Sequence, residues 1–128
     1  MYTRSILFLF LSVSLSSTQV LGHFGATTQY FAQVAAGPEA MTTFSIHNPG
    51  STPSNVRLEM RASDGSPFHD STVAIPAGGL QTVTIGRGVS TLKVGWARLS
   101  ATSGEFTASE SFQLKSGGMN LPVVGVLP

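Results

Sequence analysis

The chain reads as an all-β protein, an antiparallel sandwich of about seven to eight strands that follows a removable leader. Three observations lead there. Apolar and polar residues alternate with a period of two through most of the chain after residue 22, and no window sustains a helical repeat. Gly, Pro and Asn clusters break these runs at intervals of roughly 8–12 residues. Cysteine is absent, so the fold must be held by β packing without disulfides.

The leader comes first. Arg4 gives a positive start, Ile6–Val13 an apolar run, and Ser12, Ser14, Ser16 and Ser17 dilute it well before the roughly 20 residues a membrane-spanning helix needs. Val20 and Gly22 suit the −3 and −1 positions of a signal-peptidase site. The expected organisation is therefore a signal peptide over residues 1–22 and one domain over 23–128, whose 106 residues can bury a core of their own. Residue 23 is His, where a lipoprotein would carry Cys. The expected product is secreted or extracytoplasmic, not lipid-anchored, with no transmembrane segment after the leader.

The clearest strand is Asn55–Ala62, where Val56, Leu58, Met60 and Ala62 share one face and Arg57, Glu59 and Arg61 the other. Alternate side chains of a pleated strand point to opposite sides, so one face is buried and one is wet. The same reading places strands at Tyr30–Ala36, Thr42–His47, Thr72–Ile75, Leu80–Ile85, Thr91–Ser100, Glu105–Leu114 and Leu121–Leu127. Turns fall at Gly37-Pro38, Asn48-Pro49-Gly50, Asp64-Gly65, Pro76–Gly79, Gly86–Gly88, Ser103-Gly104 and Gly117-Gly118. The expected core is Phe31, Phe44, Ile46, Val56, Leu58, Met60, Val73, Ile75, Val83, Ile85, Leu92, Val94, Trp96, Phe106 and Phe112. Outward positions are rich in Ser and Thr, and Pro122 and Pro128 suit the last strand to an edge.

These residues carry a resemblance. Tyr30–Gly37, Thr42–Pro53, Asp64–Pro67, Ile75–Gly79, Val94–Arg98 and Val124–Pro128, in that order, resemble secreted bacterial Ig-like β-sandwich modules of unassigned activity. The resemblance spans nearly the whole domain and is built from turns and core positions. It implies architecture and location and supplies no catalytic residues. The Cys–Trp–Cys core of antibody domains is missing.

Charge narrows the partners. After residue 22, Arg57, Arg61, Arg87, Lys93, Arg98 and Lys115 balance Glu39, Glu59, Asp64, Asp70, Glu105 and Glu110. With no basic stripe, the counterion release that drives nucleic-acid binding is absent, so no nucleic-acid partner is expected.

The chemistry-bearing residues are few. Cleavage after Gly22 would give His23 both an α-amine and an imidazole, and with His47 and His69 these could hold Cu(II) in a histidine brace. Asp64 with Asp70, and Glu105 with Glu110, are the nearest carboxylate pairs for glycoside chemistry, and read more simply as solvated surface charge. No Gly-x-Ser-x-Gly elbow occurs. The Gly pairs precede no helix, so they make no phosphate cradle, and Asp64, Asp70 and Asn48 are too sparse for calcium. Sugar binding needs exposed aromatic faces. Tyr30 could be exposed at a strand start, whereas Trp96 shares parity with Leu92 and Val94 and is expected in the core.

The resulting expectation is a non-enzymatic structural or interaction module without a cofactor, with a protein or a cell-surface polymer as partner. The alternatives are a carbohydrate- or surface-binding module and a copper protein built on His23.

Overall fold

A computed structural model of the chain describes residues 26–86, 88–126 and 128. The leader, the cleavage site and His23 lie outside the described residues. Among the described residues nine strands follow one another: β1 Thr28–Ala36, β2 Ala40–His47, β3 Ser54–Ala62, β4 Pro67–Ile75, β5 Leu80–Ile85, β6 Lys93–Ser103, β7 Thr107–Ser116, β8 Met119–Asn120 and β9 Val124–Val126. They form two antiparallel sheets, one ordered β1-β6-β3-β4 and the other β5-β2-β7-β8, with β9 also paired to β7. The protein is an all-β sandwich. Strand β2 lies between β5 and β7 and strand β6 between β1 and β3, so sheet neighbours are mostly not neighbours in the chain. Among the described residues no helix is long and apolar enough to cross a membrane.

The core lies between the sheets. Phe31 of β1 meets Phe44 of β2 edge to face, with centroids 5.5 Å apart, the arrangement ring quadrupoles favour. Val56, Leu58 and Met60 are fully buried from β3, with Ile46, Ile75, Leu99 and Phe106 around them. Burial of each such side chain contributes roughly 1.5–3 kcal/mol. A polar clip joins the layers: the buried Thr42 hydroxyl donates to Ala35 O at 2.7 Å and accepts from Ala35 N at 3.0 Å. That clip satisfies backbone groups beside a register shift in β1 between Phe31 and Val34.

Most expected core residues are inside, and three are not. Parity puts Leu92, Val94 and Trp96 inward, but Leu92 and Val94 are exposed, and Trp96 is half-buried on the outer face. Gly95, Ala97 and Leu99 are the inward set. The segment Leu92–Leu99 is apolar on both parities, so alternation alone could not choose between them. Packing chooses through Gly95, where an added Cβ would lie 1.8 Å from Arg61 O; only glycine lets β6 approach β3 so closely. Phe112 faces inward opposite Thr42 but is half-buried, and Val73 and Val83 pack partly exposed against the core.

The turns follow their chemistry. Gly117 and Gly118 have φ of 57° and 80° and join Ser116 to Met119, which pair across the β7–β8 hairpin. Two consecutive positive φ values match the twist of a two-residue hairpin loop. The last strand is paired within the chain: Val124–Val126 lies along Glu110–Phe112 of β7.

Candidate functional site

The two outer faces differ in chemistry. On the five-stranded sheet, register puts Thr82 and Thr84 of β5 beside Ser45 and Thr43 of β2, and those beside Ser109 and Ser111 of β7. The Thr43 and Thr84 hydroxyls are 3.1 Å apart. This part of the face is rich in Ser and Thr, as expected for outward positions. The four-stranded sheet departs from that expectation, because its outer face collects the charges and aromatics of four strands.

Register builds that face. Tyr30 of β1 pairs with Arg98 of β6, Arg98 with Glu59 of β3, and Glu59 with Asp70 of β4, in one row across the sheet. One step along, Trp96 pairs with Arg61. Directly opposed side chains have Cβ atoms about 4.5–5.5 Å apart, close enough to interact.

Glu59 is the hub. Its Oε2 accepts from both Nε (2.7 Å) and Nη2 of Arg98, while its Oε1 lies 3.3 Å from Arg57 Nη2 and 3.9 Å from Arg61 Nη2. Although it points outward, Glu59 is only 5% exposed, because long Arg stems cover neighbouring surface while their charged ends stay wet. Arg57 is held a second time, donating from Nε to Asp70 Oδ1 at 3.0 Å and from Nη2 to Oδ2 at 2.6 Å. The Arg57 hydrogen bond is the main cause that holds the Asp70 carboxyl below its usual value. Hydrogen bonds to Glu59 and then to Tyr30 raise the Arg98 guanidinium above its own.

Beside this network the rings of Tyr30 and Trp96 lie 6.2 Å apart at 42°. Tyr30 is 56% exposed. From the sequence only Tyr30 is expected at the surface; the structure brings two aromatics together there. They share an exposed face with a cation, and ring faces can stack on sugars or on the planar groups of a protein partner.

The other sequence candidates are dispersed. His47 is exposed at the end of β2, and His69 is on β4 of the other sheet, its Nε2 2.8 Å from Ser71 Oγ. Burial lowers the His69 imidazole from its ordinary value. Among the described residues no three His, Cys, Asp or Glu side chains form a metal-sized group. Asp64 caps its own turn, accepting from Ser66 N and Oγ. Asn48 is buried and holds a loop, with Nδ2 within 2.7–3.2 Å of the Thr52, Ile75 and Pro76 carbonyls. Glu105 lies in the connection between β6 and β7, and its candidate partner Glu110 lies on β7 itself.

Glu110 overturns its assignment as solvated surface charge. It pairs with Phe44 and faces the core, 3% exposed, and among the described residues neither carboxyl oxygen has a hydrogen-bond partner. Burial pushes its pKa up to about 7. The sequence flagged it poorly because Ser109 and Ser111 surround it in an otherwise polar run.

The fold has counterparts among solved structures. A crystal structure of Thermotoga maritima protein 1070 is similar over 81% of this chain and 95% of its own, with a TM-score of 0.60 and 12% identity. The Anabaena sensory rhodopsin transducer is similar over 66% of this chain and 92% of its own, with a TM-score of 0.51 and 18% identity. No protein-family model and no curated protein matches the chain. At such identities the likeness is one of architecture: this chain shares a β-sandwich fold with both proteins.

Proposed function

We propose that the protein is a secreted, non-enzymatic interaction module of the bacterial Ig-like kind. In this reading it binds a carbohydrate polymer through the outer face of its four-stranded sheet. The observation that carries the reading is the Tyr30–Trp96 pair, which sits on an exposed face beside an Arg–carboxylate network. Sugar rings present apolar C–H faces that stack on aromatic rings, while their hydroxyls bond to charged and polar neighbours. A binding face needs rigid side chains, and the contacts of Glu59 and Asp70 hold two of its three guanidinium groups in place. The leader-like residues 1–22 support export.

Co-sedimentation with insoluble polysaccharides tests this. The wild-type chain should pellet with at least one polymer, Tyr30→Ala and Trp96→Ala should lose most of that retention, and Thr84→Ala on the opposite face should keep it. Equal loss in the Thr84→Ala variant would point away from the aromatic face.

A further inference from the structure

We infer that the polymer bound at this face is an acidic, carboxylate-bearing polysaccharide, with a sugar ring on Trp96 and Tyr30 and its carboxylate on Arg61. The inference rests on the aromatic face being a glycan site and goes further by assigning the ligand's charge and the residue that reads it.

Position comes first. Tyr30, Trp96 and Arg61 occupy three adjacent strands, β1, β6 and β3, with Arg61 paired directly to Trp96 and Tyr30 on Trp96's other side. A ring resting on the two aromatics therefore has a guanidinium at one edge, within reach of a substituent on that ring.

Charge gives the sign. The face carries three guanidinium groups, Arg57, Arg61 and Arg98, against two carboxylates, Glu59 and Asp70. Asp70 takes two bonds from Arg57, and Glu59 Oε2 takes two from Arg98. Arg61 is held more loosely. Its Nη1 donates to Gly65 O at 3.1 Å, and the Glu59 oxygen nearest its Nη2 is 3.9 Å away, beyond a hydrogen bond. The excess positive charge of the face thus resides on the guanidinium next to Trp96. Its side chain is 37% exposed. A neutral glycan would offer that guanidinium only uncharged hydroxyl acceptors, whereas a uronate carboxylate matches its planar fork with two parallel charge-assisted bonds.

Polygalacturonate and its fully methyl-esterified form separate the outcomes, because they share a backbone and differ in the carboxylate. The expected result is retention of the intact secreted chain on polygalacturonate, weaker retention on the ester, and loss of affinity with added salt. Arg61→Gln should weaken binding to polygalacturonate about tenfold, the equivalent of one charge-assisted contact, and weaken binding to the ester by much less. Arg61→Lys should restore part of the affinity, since it keeps the charge and loses the fork. Circular dichroism of each variant checks that it is folded. Equal retention on both polymers, lost in Trp96→Ala and indifferent to Arg61→Gln, would overturn the acidic-ligand inference and keep the glycan face. Retention on neither polymer, nor on any other polysaccharide, would overturn both.

Discussion

The rings of Tyr30 and Trp96 lie 6.2 Å apart on the outer face of the four-stranded sheet, although Tyr30 immediately precedes the fully buried Phe31 and Trp96 sits between the buried Gly95 and Ala97. Each aromatic is thus one residue from the core and directed away from it. The pairing places them on one surface with the side chains that Arg98 and Glu59 lock together.

Neighbouring residues should therefore respond very differently to truncation. Tyr30→Ala removes an exposed ring and is expected to cost about 1 kcal/mol of stability. Phe31→Ala empties the core beneath Phe44 and should cost about 4 kcal/mol. Urea denaturation of the two variants checks the contrast, and equal losses would contradict the inward and outward directions of β1.

Replacing the hub of the charge network should also be costly. Glu59→Gln leaves Arg57, Arg61 and Arg98 without the carboxylate they share. The expected loss is about 2 kcal/mol, the scale of hydrogen bonds to a charged group. A double-mutant cycle with Arg98→Met should recover part of it as coupling energy; additivity of the two losses would mean that the pair contributes nothing.

Glu110 makes stability fall as pH rises. Its carboxyl is raised from 4.5 to about 7 by burial alone. Tyr30, the one ionisable residue of β1, points outward, and the inward faces of β1 and β2 and strand β9 bring no charged side chain to it. Below pH 4.5 the group is protonated in both the folded and the unfolded chain. Between pH 4.5 and about 7 the unfolded chain ionises while the folded chain holds its proton, so stability declines, by about 3 kcal/mol in all. His69, lowered from 6.5 by burial, acts with the opposite sign over part of this window. The difference between wild type and Glu110→Gln isolates the acid. Denaturation at pH 4.5 and pH 8 should show the variant gaining about 3 kcal/mol on the wild type with the change in pH. A difference independent of pH would contradict the buried placement.

Gly95 fixes which parity of β6 faces inward. An alanine Cβ there would meet Arg61 O at 1.8 Å, so Gly95→Ala is expected to destabilise by about 3 kcal/mol or more. Gly125→Ala, whose Cβ would have no neighbour within 4 Å, should be nearly neutral. Thermal melts of the two variants make the comparison, and a tolerated Gly95→Ala would argue for a different β3·β6 approach.

These contrasts mark how far the residues could be read in advance. Strands such as Asn55–Ala62 were legible because Val56, Leu58 and Met60 alternate cleanly with charged residues, and the turns because Gly, Pro and Asn carry their own backbone preferences. Leu92–Leu99 was not, since apolar residues occupy both parities there and the choice depends on a contact with β3 at Gly95. The proposed binding face was hidden for the same reason. It joins Tyr30, Arg57, Glu59, Arg61, Asp70, Trp96 and Arg98 from four strands, and their register is set by sheet order. Glu110 escaped because a local pattern of Ser109, Glu110 and Ser111 says nothing of Phe44 across the ladder.

Trp96 is the chain's single tryptophan, so its fluorescence reports directly on the proposed face. The most direct test titrates polygalacturonate into the intact protein and follows acrylamide quenching of that emission. Saturable protection of Trp96, absent in Tyr30→Ala and weakened in Arg61→Gln, is expected. Unchanged quenching while the protein co-sediments with the polymer would contradict it, because the ligand would then be bound away from the aromatic face.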